Sequence, residues 1–246
     1  MEEVDHQLPE EPASGARRRP ALAGAILAGG RASRLHGFPK GLLLCRPGLT
    51  IVEHLVREMR AAGVPAGAVI ANDPEPYREC GLPILADVRR GMGPLGGILT
   101  GLAHFAGSCD GVLFLPCDLP AITANEIDAL VDAFAAEAHA PGAAARDASR
   151  WHPLCCVVRT GIIPAVNAAI DEGERSVARL WARLGVRPVE FRDAGPFFNI
   201  NCPDDVEMWL NRDELGEKRK RWGDNGRTEE RKRKRRRGNR KTAYAE

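Results

Sequence analysis

Residues 24–42, Gly-Ala-Ile-Leu-Ala-Gly-Gly-Arg-Ala-Ser-Arg-Leu-His-Gly-Phe-Pro-Lys-Gly-Leu, constrain this chain more than any other stretch. The apolar run 23–28 reads as a buried strand. It ends in Gly29-Gly30, where a backbone can turn sharply or come close to a ligand. Arg31, Ser33 and Arg34 follow, then Gly37-Phe38-Pro39 and Lys40. A strand that runs into glycines and several cations suits phosphate, because bare N–H groups and positive charge converge there. The spacing is neither that of a P-loop, G-x-x-x-x-G-K-[ST], nor the dinucleotide fingerprint G-x-G-x-x-G.

Lys40 stands out by composition. Every other Lys lies at 218 or beyond, while Arg is used throughout. A lone Lys beside a glycine loop points to a site that wants a compact ammonium and not a planar fork.

Downstream, apolar runs alternate with amphipathic segments. A helix is expected over about 50–62, capped by Thr50 and stopped by Gly63. Strands are expected at 68–71, 83–86 and 112–115. Helices follow at about 93–106 and 124–138, the latter capped by Thr123. Residues 139–149 look like a loop or hairpin tip. A strand at 154–158, helices at 161–171 and 175–184, strands at 189–191 and 197–201, and a last helix from Pro203 to about 211 complete the pattern. This β-α-β-α order implies a mostly parallel sheet covered on both faces. Ligands bind such sheets at the carboxyl ends of the strands. Gly29-Gly30, Asn72, Asp87 and Asp118 each end a predicted strand.

Asp118 lies in Pro116-Cys117-Asp118-Leu119-Pro120, where flanking prolines restrict the turn and aim the carboxylate off the sheet edge. It is the best candidate for a Mg²⁺ ligand, since Mg²⁺ prefers one or two carboxylates plus substrate phosphates. Asp87 suits a ribose or base contact, a water-mediated metal contact, or a strand cap. Asn199 and Asn201 alternate with Ile200, so both amides share one face. They can meet phosphate or a heterocycle, or bridge backbone before Pro203. His152, before Pro153, suits either a contact to an anionic substrate or ordinary packing. His36, His54 and His104 have no neighbours at metal spacing, and Cys155-Cys156 point to opposite faces of a strand as core residues.

The motifs resemble those of the MobA-like nucleotidyltransferases, whose signature is Leu-Ala-Gly-Gly-x-x-x-Arg-Met-Gly-x-x-Lys. Here it reads Leu27-Ala28-Gly29-Gly30, then Arg34-Leu35, Gly37 one place late, and Lys40. Leu35 replaces Met, His36 stands where Gly is usual, and Pro39 stands where the guanylyl-transferring branch often has Asp. Asp87, Gly93-Pro94-Leu95-x-Gly97, Pro116-Cys117-Asp118-x-Pro120, His152-Pro153 and Asn199-Ile200-Asn201-x-Pro203 follow in the order of the molybdenum cofactor guanylyltransferases. The match covers about 22–211.

The resemblance implies a three-layer α/β/α, Rossmann-like nucleotidyltransferase fold. It also implies Mg²⁺-dependent transfer of GMP from GTP to molybdopterin, with pyrophosphate released. By the same resemblance Lys40, Arg34 and Asp118 are the catalytic candidates and Asp118 the metal ligand. Leu27, Ala28, Gly29, Gly30, Lys40, Asn72, Asp87, Asp118, His152, Asn199 and Asn201 are the substrate-binding candidates. A molybdoenzyme or its chaperone would receive the product. Cytidylyl transfer to molybdopterin, or nucleotidyl transfer to a sugar phosphate, are the neighbouring readings.

Charge divides the chain. Residues 1–213 carry 21 Lys and Arg against 27 Asp and Glu, whereas 214–246 carry 14 against 6. The mildly acidic body is not that of a nucleic-acid binder by charge. Residues 1–20 read as a disordered leader, 21–213 as the catalytic domain, and 214–246 as a disordered basic tail. The cationic run 231–237 in that tail reads first as a solvated extension, with attachment to nucleic acid or an acidic partner as the other reading. Seven cysteines without a C-x-x-C spacing fit reduced thiols and a cytoplasmic setting. The polar first residues do not read as a signal peptide, and no apolar run reaches membrane-spanning length.

Overall fold

The structure, a computed structural model, describes residues 19–29 and 38–211. The chain enters as strand β1 (Leu22–Leu27) and resumes in a single 3-10 turn, Lys40–Leu42. A short hairpin follows, β2 (Leu44–Arg46) and β3 (Leu49–Thr50), and leads into helix α1 (Ile51–Ala61). Thr50 and Glu53 form the reciprocal capping box that starts α1. Gly63, at φ 69°, takes the left-handed turn that ends it. Then come β4 (Ala66–Ile70), β5 (Ile84–Leu85), α2 (Pro94–Phe105), β6 (Gly111–Pro116) and α3 (Ala124–Ala136). The second half holds β7 (Gly142–Asp147), β8 (Trp151–Arg159), α4 (Ile163–Asp171), α5 (Val177–Leu184), β9 (Arg187–Phe191) and a last helix, α6, over 203–211.

Seven strands form one sheet in the order β5-β4-β1-β6-β8-β7-β9. β8 runs antiparallel to both neighbours, and the other pairings are parallel. Two-residue alternation sends Ile26, Leu113, Leu115, Cys155 and Val157 to one face, against α1, α3 and Trp209 of α6. Ala25, Leu27, Val112, Phe114, Cys156 and Val158 go to the other face, against α2, α4 and α5. This is a three-layer α/β/α fold, and Cys155 and Cys156 do lie on opposite sides of the sheet.

The structure departs from the sequence expectations in three places. Residues 142–147 are a buried strand, not a loop: β7 inserts between β8 and β9. Its Gly-Ala-Ala-Ala run lacks the branched residues that mark strands. The small side chains are required instead by close packing, since a Cβ at Gly142 would lie 2.4 Å from the Val157 carbonyl oxygen. Residues 197–201 are not a strand. Phe197 ends a 3-10 turn, and 198–201 run as irregular backbone. The β2–β3 hairpin had no clear signal, being only three and two residues long. Gly30, Arg34 and the rest of 30–37, together with most of the leader and the basic tail, lie outside the described residues.

One buried group makes stability depend on pH. His54 on α1 is fully buried; its Nε2 donates to the Ile122 carbonyl at 2.8 Å, and its Nδ1 lies 3.6 Å from Glu58 Oε1. Burial lowers its pKa, outweighing the hydrogen bond and the Glu58 charge. The unfolded chain therefore binds this proton first as pH falls. The stabilisation is fully present above the unfolded value of about 6.5 and decreases below it, by at most about 1.4 kcal/mol per pH unit. Urea midpoints at pH 7.5 and 5.5 should differ more in the wild type than in His54→Gln. Equal differences would show that other groups carry the pH dependence.

Candidate active site

The carboxyl ends of β1, β4, β5 and β6 meet at one edge of the sheet. Ala28 N donates to the Ile70 carbonyl, Ala71 N to that of Leu85, and Cys117 N to that of Leu27, all at 2.9–3.0 Å. These bonds bring the residues just past the strands, Gly29, Asn72, Asp87 and Asp118, to a common rim. β1 sits where the strand order reverses, with β4 on one side and β6 on the other. This is the crevice where open α/β sheets take ligands.

At the centre Lys40 Nζ lies 3.3 Å from Asp118 Oδ2 and donates to Asn201 Oδ1 at 2.7 Å. Asn199 Nδ2 donates to Asp118 Oδ1 at 2.9 Å, and Ile200 N to the Asp118 carbonyl at 3.0 Å. Ile200 is fully buried and pins this segment, so the two asparagines flank it and both turn to the Lys40–Asp118 pair. The expected shared face is therefore real, although the strand is not. Asp205, in the first turn of α6, accepts from Asn201 N and Cys202 N, and these backbone donors hold its carboxyl below the usual range. The Lys40 and Asp118 side chains are 21% and 18% exposed. The pair is thus reachable by a ligand yet partly shielded, which strengthens charge interactions beyond those of a surface pair.

Gly41 explains why Lys40 reaches Asp118. A Cβ there would lie 2.6 Å from Val52 Cγ2, 3.0 Å from Tyr77 Cε1 and 3.3 Å from Cys117 Cβ. Only a residue without a side chain lets the 3-10 turn settle onto this floor. Tyr77 and Cys117 are buried beneath it, and burial pushes the Cys117 thiol up to about 12, so it stays protonated as packing. Gly41→Ala should cost about 1–3 kcal/mol through overpacking and should lower activity by shifting Lys40. A thermal melt and a kinetic assay check this; unchanged values in both would show that the floor yields freely.

The other candidates divide by location. The Leu27 carbonyl and the Ala28 N–H are already engaged in the sheet. A Cβ at Gly29 would meet only the Ile70 carbonyl oxygen, at 3.9 Å, among the described residues. No packing with them calls for glycine there, which suits a position kept open for a ligand. Asn72 and Asp87 form a reciprocal pair: Asn72 Nδ2 donates to Asp87 Oδ2 at 2.8 Å, and Asp87 N donates to Asn72 Oδ1 at 3.1 Å. The next residue is also held, because Val88 N donates to Thr100 Oγ1 on α2. Gly96 lets α2 approach this loop, where a Cβ would lie 2.7 Å from the Arg89 carbonyl oxygen. His152 is buried on β8, where Nε2 donates to Asp147 Oδ2 at 2.7 Å and the ring stacks on Phe197. It faces the interior and is not brought into contact with Lys40 or Asp118.

Sequence reading overlooked Tyr77, Thr100, Asp147, Arg150 and Asp205. Only Asp205, acidic and just inside a helix start, had a usable local signal.

The donor set bears on a metal. Among the described residues no group of three or more His, Cys, Asp or Glu side chains is arranged to hold one. Asp118 presents one partly exposed carboxylate on the rim. That fits a hard divalent cation brought with substrate phosphates better than one held in an all-protein cage.

Residues 24–187 match the MobA-like NTP transferase domain. A molybdenum cofactor guanylyltransferase of Mesorhizobium japonicum is 40% identical over 197 residues, covering 75% of this chain and 92% of the relative. One from Serratia proteamaculans is 33% identical over 191 residues, covering 76% and 93%. A solved structure of Rv0371c from Mycobacterium tuberculosis H37Rv, in complex with manganese, superposes with a TM-score of 0.57 at 17% identity, covering 78% of this chain and 98% of that one. The chain therefore belongs to the MobA-like NTP transferase family and is a nucleotidyltransferase.

Proposed function

We propose that the protein transfers GMP from GTP to molybdopterin, forming the guanine dinucleotide cofactor and releasing pyrophosphate. The observation that carries this reading is the Lys40–Asp118 pair at the β1–β6 switch point, joined on its far side by Asn199 and Asn201. A triphosphate would sit at the strand-end rim on one side of the pair. The other side faces a cleft of about 530 Å³ lined by residues of the second half, where the acceptor fits. Two substrates can thus meet across one charged pair.

The chemistry is an in-line displacement. A terminal phosphate oxygen of molybdopterin forms a bond to the α-phosphorus of GTP, and the bond from that phosphorus to the bridging β-phosphate oxygen breaks. Negative charge grows on the departing pyrophosphate. Lys40 would supply positive charge there. Asp118 would hold Mg²⁺, which when bound would neutralise phosphate charge. Asp87, held by Asn72, suits a contact to the ribose or base. Asn199 and Asn201 keep Asp118 and Lys40 in register. A phosphate acceptor is already ionised near neutral pH, so no side chain is needed to remove its proton.

Calorimetric titration with GTP, with and without Mg²⁺ and with CTP as competitor, tests the nucleotide half. Selective GTP binding that tightens with Mg²⁺ supports guanylyl transfer. A preference for CTP would keep the mechanism and change the product. Failure to bind any nucleoside triphosphate would remove the reading. Formation of the dinucleotide from GTP and molybdopterin then tests the acceptor half.

A further inference from the structure

The cleft beyond Asn199 and Asn201 is lined also by Ser149, Arg150, Phe198 and Asp205. Among the described residues lining it, Arg150 is the one cation. Arg150 sits in the turn between β7 and β8, and several bonds fix its backbone. The buried Asp147 accepts at Oδ1 from Ser149 N at 2.7 Å, Ser149 Oγ at 2.6 Å and Arg150 N at 2.9 Å. Its Oδ2 takes the His152 bond, and Asp147 N donates to the Arg150 carbonyl at 3.0 Å. These donors hold the Asp147 carboxyl well below the usual carboxylate range, led by the Ser149 and His152 bonds.

The same turn reaches the catalytic pair. Arg150 Nη2 donates to Asn199 Oδ1 at 3.0 Å, and the Asn199 amide in turn donates to Asp118. Through His152, which stacks on the buried Phe197 at a centroid distance of 4.5 Å, Asp147 also supports the start of the 197–201 segment. One guanidinium N–H meets Asn199, leaving other N–H groups of the fork to meet an anion.

We propose that Arg150, set in place by Asp147, anchors the phosphate of the acceptor, so that acceptor and nucleotide are held by different cations, Arg150 and Lys40. This rests on the guanylyltransferase reading above. It makes Arg150 a binding residue for the second substrate and Asp147 a positioning residue that acts through it. A planar fork suits the acceptor because two parallel bonds orient the phosphate as well as attract it. Lys40, a point charge, suits a pyrophosphate group whose charge changes during reaction.

The test is steady-state kinetics of dinucleotide formation, with GTP and molybdopterin varied separately. Arg150→Gln is the informative variant, because its amide can still donate to Asn199 but carries no charge. The KM for molybdopterin should rise about tenfold or more, the loss of a charge-assisted bond, while the KM for GTP stays within about twofold. Arg150→Lys should recover part of the loss. Asp147→Asn should raise the molybdopterin KM on its own, yet add little on top of Arg150→Gln, because the two act in one line. An unchanged molybdopterin KM in Arg150→Gln, or an equal rise for both substrates, would overturn the proposal. Fully additive effects of the two substitutions would separate Asp147 from Arg150 and also count against it. If the wild type forms no dinucleotide, the failure lies in the guanylyltransferase reading and not in the role of Arg150. Arg150 is exposed, and a wild-type melting temperature for Arg150→Gln will show that the folded enzyme is being compared.

Discussion

Asp118→Asn is expected to lower turnover by about 10²–10³-fold while leaving the fold nearly unchanged. The amide matches the carboxylate in shape, and its oxygen can still accept from Asn199. What disappears is the negative charge. Without it the rim has no anionic ligand for a divalent cation at this point, and the Lys40 ammonium loses its counter-charge. Both substrate phosphates would then lack the arrangement that stabilises the departing pyrophosphate. The stability cost should be about 1–3 kcal/mol, because the pair is largely shielded from solvent and Lys40 loses its counter-charge. The measurement is turnover over a range of Mg²⁺ concentrations, with a thermal melt as control. Full activity at ordinary Mg²⁺ would assign the metal to another carboxylate.

Lys40→Ala should weaken GTP binding by about 10- to 100-fold, the range expected for a lost charge-assisted bond to phosphate. Turnover should fall as well, because positive charge beside the leaving pyrophosphate matters more as the reaction advances. The substitution also frees Asn201 Oδ1 and Asp118 Oδ2, so a binding defect from loosened 199–201 backbone must be separated from lost charge. Lys40→Met, which keeps the bulk of the stem without the charge, does this. Calorimetry should show both variants losing GTP affinity to a similar degree. If Lys40→Met binds GTP as the wild type does, the ammonium is not a phosphate ligand and the pair with Asp118 is structural.

Much of the rim was legible because its parts carry local signals. Short continuous apolar runs end at Gly29, Asn72, Asp87 and Asp118, and such runs need no tertiary information to be seen. The capping boxes at Thr50–Glu53 and Thr123–Glu126 are equally local. Lys40 was conspicuous for its isolation in an arginine-rich chain, and Asn199-Ile200-Asn201 for its symmetry. The 197–201 strand was misread for a related reason: alternation sets which side chains share a face but does not require a pairing partner, and this segment has none in the sheet. Its side chains are set instead by the buried Ile200 and by bonds to Asp118.

The residues that escaped notice depend on contacts across long sequence separations. Gly41 is an ordinary glycine until Val52, Tyr77 and Cys117 crowd its Cβ position. β7 is a run of alanines until β8 and β9 offer their edges. Arg150 is one arginine among many until the Asp147 turn fixes it beside Asn199, 49 residues on. From sequence alone come most of the element order, the mostly parallel sheet, the polar residues that end its strands and the resemblance that names a reaction. These follow from periodicity and from residues close together in the chain. Tertiary structure alone decided how Lys40 meets Asp118, where the second half inserts its strands, and which cation lines the cleft beside Asn199. Those depend on distances between segments far apart in the chain, which side-chain periodicity does not encode.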